Sequence, residues 1–213
     1  MANVYKTMAG GIFLTFVTAW LFANTPALLS LILDVKTGSP TMLGWIVMFS
    51  PLALVLLMGF KMDSMSHGKA AGIFYLISGL IGASMSSIFL VYTDFSIVQV
   101  FLVTSISFAA LSLYGYTSKK DLSGIASFLF MGLIGIVAAS ILNIFIGSGA
   151  LQFVITIIGV LVFAGLTATD TQRIKSDFIR TGGAISPAAE ALGLYLNFIN
   201  LFQMLLSLMG ERE

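Results

Sequence analysis

Residues 122–169 carry no charged side chain, and this stretch restricts the possible folds more than any other part of the chain. A helix that crosses the hydrocarbon of a bilayer needs about 20 apolar residues. The stretch is long enough for two crossings, and "IGSGALQ" at 146–152 supplies the break, because two glycines and a serine interrupt the run. Five more uncharged stretches, 7–33, 37–60, 70–93, 95–118 and 191–210, each suffice for one crossing. Seven spans are therefore predicted, over roughly 8–25, 41–60, 70–91, 95–116, 123–146, 151–171 and 187–209.

Composition leads to the same class. Of 213 residues, 58% are hydrophobic and 9% are charged, where a soluble domain carries about 25% charged residues. The expected fold is an all-α polytopic membrane protein, with 1–213 forming a single seven-helix transmembrane domain. The first apolar run exceeds the length of a signal h-region and counts as a span. Pro26 is read as ending the first helix and leaving 26–40 as an external loop. Ser186 and Pro187 are read as the N-cap and first position of the last helix.

Basic residues set the orientation. Lys6, Lys61, Lys69, Lys119, Lys120, Arg173, Lys175 and Arg180 fall on one side of the seven spans, and only Lys36 and Arg212 on the other. The positive-inside rule then predicts a cytoplasmic N-terminus and an external C-terminus.

Several function classes find no support. A net charge of +1 gives no reason to expect a nucleic acid partner. With one His and no Cys, the common zinc, iron–sulfur and thiol sites are excluded, and no cofactor is expected. The spans hold no His, and no G-x-S-x-G elbow occurs, so no enzymatic activity is expected.

Small and polar residues mark packed faces of membrane helices. Gly79, Ala83 and Ser87 in the third span, and Gly132, Gly135, Ala139 and Asn143 in the fifth, are read as close-packing faces. In the sixth span, Gln152, Thr156, Gly159, Thr167 and Asp170 lie within about 80° of one another at 100° per residue. In the seventh, Glu190, Gly193, Asn197, Asn200, Gln203 and Ser207 fall within about 140°. Two readings of Asp170 stand level. It is either an interfacial residue paired with Arg173 one turn on, with Arg173 and Asp177 continuing the series, or an inward carboxylate whose protonation or ion binding matters. His67, in a short loop, titrates near neutrality when unperturbed.

Four segments carry a recognisable pattern: "LYGYTSKKDLS" (113–123), "ILNIFIGS" (141–148), "TATDTQRIK" (167–175) and "LYLNFINLF" (194–202). Together they resemble the bacterial branch of the Bax inhibitor-1, or transmembrane Bax inhibitor motif, family, over about residues 60 to 209. The resemblance implies seven helices with the last wrapped by the other six, a bacterial inner-membrane location and a pH-sensitive Ca²⁺ leak. In such proteins two aspartates on the sixth and seventh helices share a proton and control opening. Asp170 matches the first, while the second position is Asn197. Two nearby carboxylates resist double ionisation and titrate as a unit, and an amide removes that repulsion. Lys61 stands near a basic latch residue of some relatives.

A passive Ca²⁺ path would draw on Asp170 as a weak contact, with Thr167, Glu190, Asn200 and Gln203 along the way. Ca²⁺ prefers six to eight oxygen ligands, so one carboxylate among amides and hydroxyls binds weakly, which suits permeation. The alternative is a non-transporting regulator of a membrane-bound protease, a role given to some bacterial relatives. The expected partners are thus the lipid bilayer, Ca²⁺ and, in the alternative, that protease.

Overall fold

Inside hydrocarbon an unpaired backbone N–H or C=O costs several kcal/mol, so each apolar stretch must satisfy its own backbone as a helix. The computed structural model describes residues 1–34, 37–61 and 65–212, and the side chain of Lys61 lies outside the described part. In chain order the helices are α1 (Ala2–Asn24), α2 (Pro26–Ile32), α3 (Met42–Lys61), α4 (His67–Ser84), α5 (Ile88–Val91), α6 (Asp94–Thr117), α7 (Ser123–Ile146), α8 (Gly149–Arg180) and α9 (Pro187–Met209). A single 3₁₀ turn, Met85–Ser87, joins α4 to α5 within one span. Among the described residues seven helices are long and apolar enough to cross a membrane, and the chain is a multi-pass membrane protein.

Four boundaries differ from the sequence reading. α1 begins at Ala2 and takes in Lys6. α8 continues to Arg180 rather than stopping near 171. Its 32 residues make a helix about 48 Å long at 1.5 Å per residue, which outruns a hydrocarbon core of about 30 Å. Arg173 bridges to Asp177 at 3.5 Å and Arg180 to Asp177 at 2.8 Å, so charged neighbours one turn apart continue the helix where apolarity ends. Gly182 and Gly183, both at positive φ, stop it. The third difference is 26–40, which is not simply a loop. Pro26 opens α2, Thr41 Oγ1 and N–H bond back to the carbonyls of Leu31 and Ile32, and Leu33 bridges Pro40. His67 likewise starts α4 rather than sitting in a loop. Pro187 opens α9 as expected, but the Ser186 hydroxyl makes no capping bond and is buried without a partner.

The chain divides into two compact units. The first holds Met1–Tyr92, Ile185–Tyr195 and Arg212–Glu213. Here α1 and α4 approach at glycine: a side chain at Gly11 would strike the Phe74 ring, and one at Gly82 would strike the Thr15 carbonyl. Thr15 Oγ1 donates to the carbonyls of Gly11 and Ser78, both at 2.9 Å, and lies 2.7 Å from the Tyr195 hydroxyl. Tyr195 also meets Phe74 edge-on at 5.4 Å. In α3, Pro51 has no N–H for the Val47 carbonyl, and the Ser50 hydroxyl donates to it instead at 3.3 Å.

The second unit holds Thr93–Ala184 and Leu196–Glu211. Leu129, Ile136, Ile155, Val162, Phe163, Leu166 and Leu201 form its apolar core. Phe198 stands edge-on to Phe101 and Phe108, at 5.7 and 5.5 Å. The α7–α8 turn lies at the expected break. Gly147 takes φ 67°, the Ser148 hydroxyl accepts from the Leu151 N–H, and the Asn143 Oδ1 accepts from the Ser148 N–H. Asn143 Nδ2 reaches Gln152 Oε1 at 3.2 Å, so both residues work at this turn. At Gly115, α6 and α8 touch backbone to backbone, since a Cβ there would collide with the Ala168 carbonyl. Gly79 and Gly135, by contrast, have open space, which corrects their reading as packing positions.

This contrast is measurable. Gly115→Ala should lower the thermal stability of the detergent-solubilised protein by about 1–3 kcal/mol, the cost of overpacking. Gly79→Ala should leave the melting temperature unchanged or slightly raised. Equal effects would contradict the assignment of the α6–α8 contact.

Candidate functional site

The "TATDTQRIK" segment forms the turn of α8 where the apolar run gives way to charge. Helical spacing sends its side chains in different directions. Thr167, Ala168, Thr171 and Ile174 are buried, whereas Arg173 is exposed. Asp170 lies between these environments, its side chain 24% exposed.

Asn197, buried on α9, donates from Nδ2 to Asp170 Oδ2 at 2.7 Å. Because a carboxylate only accepts, this amide orientation is the one the pair requires while Asp170 is ionised. Arg173 Nε stands 3.6 Å from the other carboxylate oxygen, with its own side chain 51% exposed. An ion pair that open contributes at most about 1 kcal/mol. The two readings of Asp170 are therefore not exclusive, since it meets Arg173 at its wet side and Asn197 at its dry side.

The other sequence candidates separate. Thr167, fully buried, donates to the Phe163 carbonyl of its own helix, and Asn200 donates to that of Leu196. Gln203 is exposed. Glu190 belongs to the first unit, in the opening turn of α9, where a carboxylate complements the helix dipole. The Lys61 side chain lies outside the described residues. Among the described residues no group of three or more His, Cys, Asp and Glu gathers to hold a metal. The two partners seen at Asp170, the Asn197 amide nitrogen and the Arg173 guanidinium, are hydrogen-bond donors rather than metal ligands.

Two residues that the sequence did not assign to the site work beside this pair. Gln172, on the same turn, holds the loop between α6 and α7 against α8, and Lys175, on the next, holds the last turn of α6. The quoted motifs contain both polar segments that Gln172 joins, "SKKDL" and "DTQRIK", but nothing in them says that the two meet.

The whole chain, residues 1–213, matches the family described as "Inhibitor of apoptosis-promoting Bax1". It belongs to the Bax inhibitor family. It is 45% identical to the inner membrane protein YbhL of Escherichia coli K12, over 100% of this chain and 92% of that protein. An uncharacterised protein of Caulobacter vibrioides is 44% identical over 99% of this chain and 87% of its own length. One of Rickettsia prowazekii is 39% identical over 100% and 89%. Within this Bax inhibitor frame, the α8 and α9 motifs are the segments that supply Asp170 and Asn197.

Removing the donor tests the pair directly. Asn197→Leu leaves one oxygen of Asp170 without its partner in a largely dry site, and should destabilise the protein by about 1–3 kcal/mol. In the Asp170→Asn background the same change should cost clearly less, because no charge is stranded. Additive losses would show that the hydrogen bond carries no coupling energy.

Proposed function

We propose that this Bax inhibitor family member is a passive Ca²⁺ leak of the bacterial inner membrane, with its N-terminus in the cytoplasm and its opening influenced by pH at Asp170. The observation that supports this reading most is the 2.7 Å bond between Asp170 and Asn197, at the two positions where the family pattern keeps a proton-sharing pair. The distribution of basic residues supports the orientation, and the 45% identity to an inner membrane protein supports the location.

The pair's chemistry sets the expected pH response. Protonation removes one charge from Asp170 and leaves an amide opposite it. No second carboxylate stands there to repel it when the proton leaves. In a relative with two aspartates the like charges push the pair's upper apparent pKa toward neutrality; with an amide opposite Asp170 that push is missing, so opening should depend less steeply on pH between about 6 and 8.

Two measurements test the proposal. A Cys introduced at Lys119 should be shielded from an external impermeant thiol reagent in intact cells, while one at Gly149 should react. The reverse pattern would overturn the orientation. Ca²⁺ flux into proteoliposomes, at fixed Ca²⁺ and between about pH 6 and 8, should exceed that of protein-free vesicles and change shallowly with pH. Asn197→Asp should steepen the response, and Asp170→Asn should flatten it. Flux equal to that of empty vesicles would overturn the leak. Stoichiometric co-purification with a membrane-bound protease would then put the regulator reading in its place.

A further inference from the structure

The loop between α6 and α7, residues 118–122, is tied to α8 at both ends. The Gln172 amide oxygen accepts the backbone N–H of Leu122 at 2.8 Å, and its Nε2 donates to the carbonyls of Lys120 at 2.8 Å and Ser118 at 3.4 Å. One turn on, Lys175 Nζ donates to the Tyr116 carbonyl at 2.7 Å, in the last turn of α6, and lies 4.6 Å from the centre of the Tyr116 ring. Leu122 is buried, so the loop is seated as well as tied. Its other side chains, Lys119, Lys120 and Asp121, are exposed. Asp121 takes the N–H and hydroxyl of Ser123, and the backbone bond first, then the hydroxyl, holds its carboxyl below the usual range.

Gln172 follows Asp170 by two residues on a continuous helix, so the two side chains share one rigid support. A turn of α8 about its axis that opens the bond to Asn197 also withdraws Gln172 from three backbone groups of the loop. Leu122 immediately precedes α7, so that displacement is delivered to the start of another span.

We propose that Gln172 is a positioning residue that couples the α6–α7 loop to the Asp170–Asn197 pair, so that the loop is released when the pair opens. This deepens the reading of the pair as the working site and rests on it. Lys175 sets the register, by fixing the end of α6 beside the same turn.

The chain has no cysteine, so a spin label at Lys119→Cys reports the loop alone in proteoliposomes without Ca²⁺. In the otherwise unchanged protein the label should be largely immobile. Gln172→Ala should raise its mobile fraction about fivefold, the population change produced by one net hydrogen bond. Gln172→Glu keeps the side-chain length but turns a carboxylate toward the Ser118 and Lys120 carbonyls, and should release the loop similarly, which separates lost bonding from lost volume. The deciding variant is Asn197→Leu. It should mobilise the label although it touches no loop residue, and should add nothing once Gln172→Ala is present. A label still immobile in Asn197→Leu, or effects that sum in the double variant, would overturn the coupling. These readings are made without measuring flux, so an absent leak would remove the proposed function and leave the coupling result standing by itself.

Discussion

A hydroxyl or amide placed in hydrocarbon must find an acceptor, and the nearest one is usually the carbonyl three or four residues back on its own helix. Thr18, Ser78, Thr104, Thr156 and Thr167 all donate in this way, and Asn200 does so with its amide. Most polar side chains of the spans are thereby satisfied locally and impose nothing on their neighbours. The few that reach another helix decide which faces meet. Thr15 with Tyr195 does this in the first unit, and Asp170 with Asn197 in the second. Such bonds average only about 0.6 kcal/mol between membrane helices. Their value lies in register, since close packing at Gly82 and Gly115 tolerates little sliding.

That local satisfaction also explains which parts of the architecture were legible in the sequence. Spans were readable because the charges between 7 and 169 are confined to short clusters separated by long uncharged stretches, and the seven long helices follow those stretches. The end of α8 was not. Counting uncharged residues stops at Asp170, while the helix continues on ion pairs among Arg173, Asp177 and Arg180. The 26–40 segment was hidden for a similar reason, because Pro26 both ends one helix and opens the next. Glycine spacing misled at Gly79 and Gly135. Periodicity marks a face, but only the neighbouring helix determines whether anything approaches it. Half of the most apolar window of α9 is buried, against 11% for the more hydrophobic α7, because in a membrane the most apolar helix can face lipid.

At the candidate site, the polar stripes contained both members of the pair, and the family pattern selected them from the rest. Geometry added what a helical wheel cannot carry, namely direction. Thr167 and Asp170 share a stripe, yet one hydroxyl turns back to Phe163 and the other side chain crosses to α9. Gln172 escaped notice because its partners are backbone groups of a loop, and a backbone group has no sequence signature.

The amide at position 197 gives the pair a property that a second carboxylate lacks. An ionised Asp170 accepts from Nδ2, as observed. A neutral Asp170 carries an O–H, and a half-turn of the same amide presents Oδ1 to accept it. The contact between α8 and this part of α9 is thus satisfied in either state without a change in helix position. Two carboxylates have no such freedom, since they share one proton in a single hydrogen bond and repel when it leaves. A proton added to such a pair would change its charge more than its shape. In the proposed leak, pH would then act mainly through the local charge at Asp170, which is graded, rather than through a helix movement, which is abrupt. The loop held by Gln172 would then respond to whatever parts Asp170 from Asn197, with a proton alone being a weak trigger.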